Sequence, residues 1–216
     1  MKNIELKKRL ITSLLLLTLF LLVFVNNIIL IYCLIVASVL ALIEFINIIK
    51  KIVNNKIFLI FFNFSFIIYI SIFSFSFFYF SNFIQLKFIL FSLLLGCIAS
   101  DIGGFVFGKT FKGPKLTKIS PNKTISGFFG SIVFTNIFFS TSIFFFTKNF
   151  SYEILLIGTI SSIACQTGDL FFSFLKRKAK IKDTGKFLPG HGGILDRLDG
   201  ILLGIPIGFI SLMLIF

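Results

Sequence analysis

Charge is what this chain has least of. Only 13% of its 216 residues are Asp, Glu, Lys or Arg, where a soluble domain carries about 25%. That shortage excludes an ordinary soluble globular domain. Acids are scarcer still, eight against 21 basic residues. Three cysteines, Cys33, Cys97 and Cys165, each lie inside an apolar stretch and share no metal-ligand spacing, so they read as small buried apolar residues and not as a zinc site. There is a single histidine and no internal repeat. The apolar run after MKNIELKKRL lacks a small-residue cleavage site and a second run comes almost at once, which reads as a retained helix and not as a signal peptide.

What is present is apolar. Hydrophobic residues make up 57% of the chain and the mean hydropathy is +1.06. Apolar stretches of about 17 or more residues recur, the length of a membrane helix. The expected fold is all-α: a polytopic integral membrane protein of about seven transmembrane helices, range about six to eight. The spans fall near 10–25, 28–49, 57–80, 88–107, 125–147, 153–175 and 201–216. The whole of 1–216 reads as one membrane domain, with N-terminal helices over 1–87 and a catalytic half over 88–216. The 57–80 span is long for one crossing and leaves a break near Ser71 open.

The basic residues set the orientation. With seven crossings, the N-terminus and the loops 50–56, 108–124 and 176–199 share one side and hold 19 of the 21 Lys and Arg residues. By the positive-inside rule that side, with the N-terminus, is cytoplasmic. The same placement explains the net charge of +13 without a nucleic-acid partner.

Acids beside membrane helices are expensive, so each is a functional candidate. Asp101, Asp169, Asp196 and Asp199 fall at the cytoplasmic ends of three different spans, at one depth. Asp196 and Asp199 are three apart and would share a helix face. Such carboxylates form a hard-oxygen cluster suited to Mg²⁺ and, through it, to phosphoryl or nucleotidyl transfer. Glu44, by contrast, reads as an acid snorkelling to the interface. The stretch Ser173 to Asp199 concentrates seven basic residues, three acids and the only histidine. Within it His191-Gly192-Gly193 precedes the last helix, where glycines permit close backbone approach and a helix start attracts phosphate. His191 could serve as a turn hydrogen-bonder, a phosphate donor or a general acid/base. The run Gly103 to Thr110 matches the P-loop pattern formally, but it lies in a membrane span with no strand before it, so that reading is rejected. An ion or solute transporter is the alternative from another class; acids at mid-membrane would favour it.

At these residues the chain resembles the phosphatidate cytidylyltransferase (CDP-diacylglycerol synthase) family. The matching elements are Ser173, Lys176-Arg177, Lys182-Asp183-Thr184-Gly185, Pro189-Gly190-His191-Gly192-Gly193 and Asp196-Arg197-Leu198-Asp199. Upstream, Asp101 through Gly108-Lys109 with Phe111, Ile119-Ser120-Pro121-Asn122-Lys123-Thr124 and Gln166-Thr167-Gly168-Asp169 are similar as well. The likeness implies transfer of CMP from CTP to phosphatidate in a bacterial inner membrane, with Mg²⁺ required and the site facing the cytoplasm. It makes Asp169, Asp196 and Asp199 metal-site carboxylates, with His191 beside them among the catalytic residues. Lys123, Lys176 and Arg197 become phosphate contacts, and Ser120, Arg177, Gly192 and Gly193 join the nucleotide-binding set. Another lipid phosphate or a polyprenol remains an alternative acceptor, and a homodimer is left open. The chain departs from the family at Ser126-Gly127, where Glu-Gly is usual, and at Lys112-Gly113, where the order is inverted.

Overall fold

The computed structural model describes residues 2–117, 119–121, 123–185, 187 and 192–215, with side chains from Leu14 onward. Its elements are α1 (Lys2–Val25), α2 (Asn27–Ile52), α3 (Lys56–Ser81), α4 (Ile84–Phe111), α5 (Ile125–Thr147), α6 (Tyr152–Lys178), α7 (Leu195–Leu198) and α8 (Ile201–Ile215). The described residues include an isolated β-bridge between Lys115 and Thr124. Six helical segments are long and apolar enough to cross a membrane, and the stretch Leu14–Val25 of α1 is a shorter apolar helix. The chain is therefore an all-α, polytopic integral membrane protein.

Several boundaries differ from the sequence reading. α3 is one unbroken helix, so there is no break at Ser71. α4 begins earlier than residue 88 and takes in Lys87, which is buried, its apolar stem covered by neighbours as long basic side chains permit. α6 runs on to Lys178, which puts Lys176, Arg177 and Lys178 in its last turn instead of in a loop. The P-loop-like run Gly103 to Thr110 lies wholly inside α4.

The chain forms two compact units, residues 1–82 with 175–198, and residues 83–174 with 199–216. The sequence reading divides the chain at residue 87; the structure divides it at 82 and groups the polar stretch 175–198 with the N-terminal helices.

In the first unit, asparagines punctuate the helices. The Asn26 side chain accepts from Ile28 N at 2.8 Å and that of Asn55 from Ile57 N at 2.9 Å, each satisfying a donor that a helix start leaves unpaired. α2 and α3 are then tied by Asn27 Nδ2 donating to Asn82 Oδ1 at 3.1 Å, by the Ser38 and Ser74 hydroxyls 2.7 Å apart, and by stacked Phe45 and Phe66 rings. Between membrane helices such bonds are worth about 0.6–2 kcal/mol each.

In the second unit, α4 and α5 approach backbone to backbone. A Cβ on Gly103 would overlap the Gly130 carbonyl, and one on Gly127 the Gly104 carbonyl. Small residues drive membrane helix pairing by allowing this approach. Ser131 Oγ donates to Ser100 O at 2.8 Å and Thr135 Oγ1 to Gly96 O at 3.1 Å. Ser161 on α6 donates to Gly204 O on α8 at 3.0 Å.

Candidate active site

The close α4–α5 contact brings the ends of the intervening loop together. Between these helices, the described residues of the connection are tightly bonded: Leu116 N donates to Lys123 O at 2.8 Å, Lys123 N to Ser120 O at 3.0 Å and Ile125 N to Pro114 O at 3.1 Å. Thr124 caps α5, its Oγ1 accepting from Gly127 N at 3.1 Å. Ser126 donates from Oγ to the carbonyl of Lys112, holding a residue whose φ is 52°. That gives the serine a local role at the position where the resemblance leads one to expect glutamate.

This connection closes one wall of a cavity of about 280 Å³ in the second unit. Asp101 lines it from α4, Ser120 and Lys123 from the connection, and Gln166 and Asp169 from α6. The Lys123 ammonium and the Asp169 carboxylate form an ion pair, each side chain 25% exposed. Ser173, one turn on, donates to Asp169 Oδ1 at 3.2 Å. Of the four acids expected to line one site, Asp101 and Asp169 line this cavity. Asp199 lies in the turn before α8; it is buried and its Oδ1 accepts from Gly200 N at 2.9 Å. A Cβ on Gly168 would overlap the Asp199 carbonyl, so the backbone of Asp199 packs directly against the α6 residue that precedes Asp169.

In the first unit a second Lys–Asp pair organises the polar stretch. Lys176 Nζ lies 2.7 Å from Asp196 Oδ1. Asp196 Oδ2 also accepts from Thr184 N at 2.9 Å and Gly193 N at 3.0 Å. Gly192 sits at φ +82°, a conformation that costs glycine little. Glu44 enters from α2 and is 1% exposed. Its carboxylate accepts from Thr184 Oγ1 at 2.6 Å, Ile194 N at 3.0 Å and Leu195 N at 2.9 Å. The reading of Glu44 as a snorkelling acid is therefore corrected: it is a buried acceptor eight residues before the end of α2.

Arg177 on α6 and Arg197 on α7 are both exposed. His191, with Pro189 and Gly190, lies outside the described residues. Glu44, Thr184 and Ser173 are the residues whose roles sequence reasoning passes over. The available signal is an ionisable group in an apolar span for Glu44, and i, i+4 spacing from Asp169 for Ser173.

Within neither unit do the described residues gather three or more His, Cys, Asp and Glu side chains as a metal-holding group. Magnesium usually takes one or two carboxylates and completes its shell with water and phosphate oxygens. The cavity offers Asp101 and Asp169 with the Ser120 hydroxyl and the Gln166 amide, so its donors fit such a cation.

A family model described as "Cytidylyltransferase family" matches residues 50–215. The chain belongs to that family. Among curated relatives, it is 40% identical over 127 residues to a phosphatidate cytidylyltransferase of Rickettsia felis, covering 54% of this chain and 56% of the relative. The protein so named in Mycobacterium leprae is 38% identical over 127 residues, 58% of this chain and 41% of the relative. That of Helicobacter pylori is 42% identical over 119 residues, 52% and 42% respectively. The chain thus spans about half the length of the curated relatives it matches.

Proposed function

We propose that the chain transfers CMP from CTP to phosphatidate, forming CDP-diacylglycerol and pyrophosphate. A phosphate oxygen of the lipid attacks the α-phosphorus of CTP, and the bond from that phosphorus to the oxygen bridging the β-phosphate breaks, releasing pyrophosphate. The observation that carries this reading is the Lys123–Asp169 pair on the wall of a cavity among membrane helices. Cation and carboxylate neutralise each other there, and each can exchange its partner for part of a metal nucleotide: Lys123 for a phosphate oxygen, Asp169 for the metal. Family membership and the names of the relatives support the same chemistry.

In this proposal Asp169, which lines the open cavity, is the carboxylate assigned to Mg²⁺. When bound, the cation screens phosphate charge and assists pyrophosphate departure. Ser120 and Lys123 contact the nucleotide phosphates, and Lys176, Arg177 and Arg197 add positive charge at the polar stretch. α2, α4 and α6 each end in basic residues, while α3, α5 and α8 have none in their last turns. That alternation supports a catalytic face on the cytoplasmic side of a bacterial inner membrane.

The deciding experiment incubates the detergent-purified protein with Mg²⁺, CTP and phosphatidate, and measures CDP-diacylglycerol and pyrophosphate. Equimolar, CTP-dependent products that vanish with EDTA are expected. No product from phosphatidate, with turnover on another lipid phosphate, would reassign the acceptor; no nucleotide turnover with any lipid phosphate would end the proposal.

A further inference from the structure

We infer that Glu44 is a positioning residue for the 192–196 turn, which makes the N-terminal span α2 part of the catalytic apparatus. For its effect on rate this rests on the cytidylyltransferase reading; the anchoring itself rests on geometry alone. Glu44 lies outside the 50–215 segment that the family model matches, yet its contacts go to residues of the polar stretch: Thr184, Ile194 and Leu195.

Two carboxylates divide the donors of this turn. Asp196 takes the amides of Thr184 and Gly193; Glu44 takes the next two amides, Ile194 and Leu195, and the Thr184 hydroxyl. Three consecutive backbone N–H groups are thereby fixed at the start of α7, which carries Asp196 and Arg197. A helix start leaves such donors without intrahelical partners, and bonds to an ionised acceptor are about twice as strong as neutral ones. The fit is steric as well as polar. A Cβ on Gly185 would overlap one Glu44 carboxylate oxygen, and a Cβ on Gly193 the other. A carboxylate so enclosed has few ways to be placed, and the turn has few ways to be placed around it. Neither feature is needed to hold α2 against α3, which have their own polar ties.

Glu44→Gln keeps the shape, removes the charge and turns one of the two acceptor oxygens into a donor facing donors. In the full-length protein in micelles, amide exchange at Ile194 and Leu195 should quicken roughly tenfold or more, the factor that about 1.4 kcal/mol represents. Exchange across α2 and α3 and the melting temperature should stay near wild type. The kcat for CDP-diacylglycerol should fall roughly tenfold with KM for CTP within about twofold, since a misplaced group costs rate more than ground-state binding. Thr184→Val removes one of the three bonds and should give the same pattern at smaller amplitude, which keeps the test sound if Glu44→Gln folds poorly. Unchanged exchange at Ile194 and Leu195 in both variants would overturn the positioning role, as would a kcat loss matched by an equal loss of folded protein. Faster exchange in the variants with an inactive wild type would uphold the anchor and sink the cytidylyltransferase reading instead.

Discussion

Two Lys–Asp pairs built from the same chemistry serve different ends. Lys123–Asp169 borders a cavity, both side chains are a quarter exposed, and one serine hydroxyl adds to the carboxylate. Lys176–Asp196 is more enclosed, 13% and 9% exposed, and its carboxylate also binds two backbone amides of a turn. An exposed ion pair contributes about 0–1 kcal/mol and is easily exchanged for a ligand. A carboxylate holding backbone donors sets the path of the chain. The first pair is therefore suited to receive substrate, the second to shape what surrounds it.

Substitutions can separate the two. Asp169→Asn should cause the largest loss of activity, about 100-fold or more, as loss of a charged partner costing about 2–5 kcal/mol would give. Its melting temperature should match wild type; a large drop would show that the cavity pair is structural too and erase the contrast. Asp196→Asn should lose activity by roughly 10- to 100-fold and, unlike Asp169→Asn, quicken amide exchange at Thr184 and Gly193. Equal exchange in the two variants would break the distinction. Ser126→Glu should matter least. It removes a donor from the Lys112 carbonyl, a bond worth about 1 kcal/mol, so turnover should fall by no more than about fivefold. Complete loss would place that turn inside the reacting site.

Much of the fold is legible in the sequence, because membrane spans are set by local apolar length. The spans from α2 onward appear close to their expected places, and the larger errors share a cause. α4 and α6 extend past the apolar run because Lys87, Lys176 and Lys178 have aliphatic stems that a helix can carry into polar surroundings. Asp101, Ser120, Lys123 and Asp169 stand out in the sequence as scarce polar groups or motif residues, and the structure brings them to one cavity. The role of Glu44 is not legible. Its partners lie 140 to 151 residues away, and nothing near residue 44 distinguishes a buried acceptor from an acid reaching for the interface. The grouping of 175–198 with the first helices is hidden for the same reason.

The separation of Glu44 from Thr184 also has a consequence for biosynthesis. Translation makes Glu44 140 residues before Thr184, and at about 5–20 residues per second the acid waits roughly 7 to 28 seconds for that partner. During that interval α2 carries a carboxyl group inside an apolar span without the donors that hold it in the finished protein. Any chain interrupted before residue 184 therefore lacks every one of the Thr184, Ile194 and Leu195 donors that hold this acid in the finished protein.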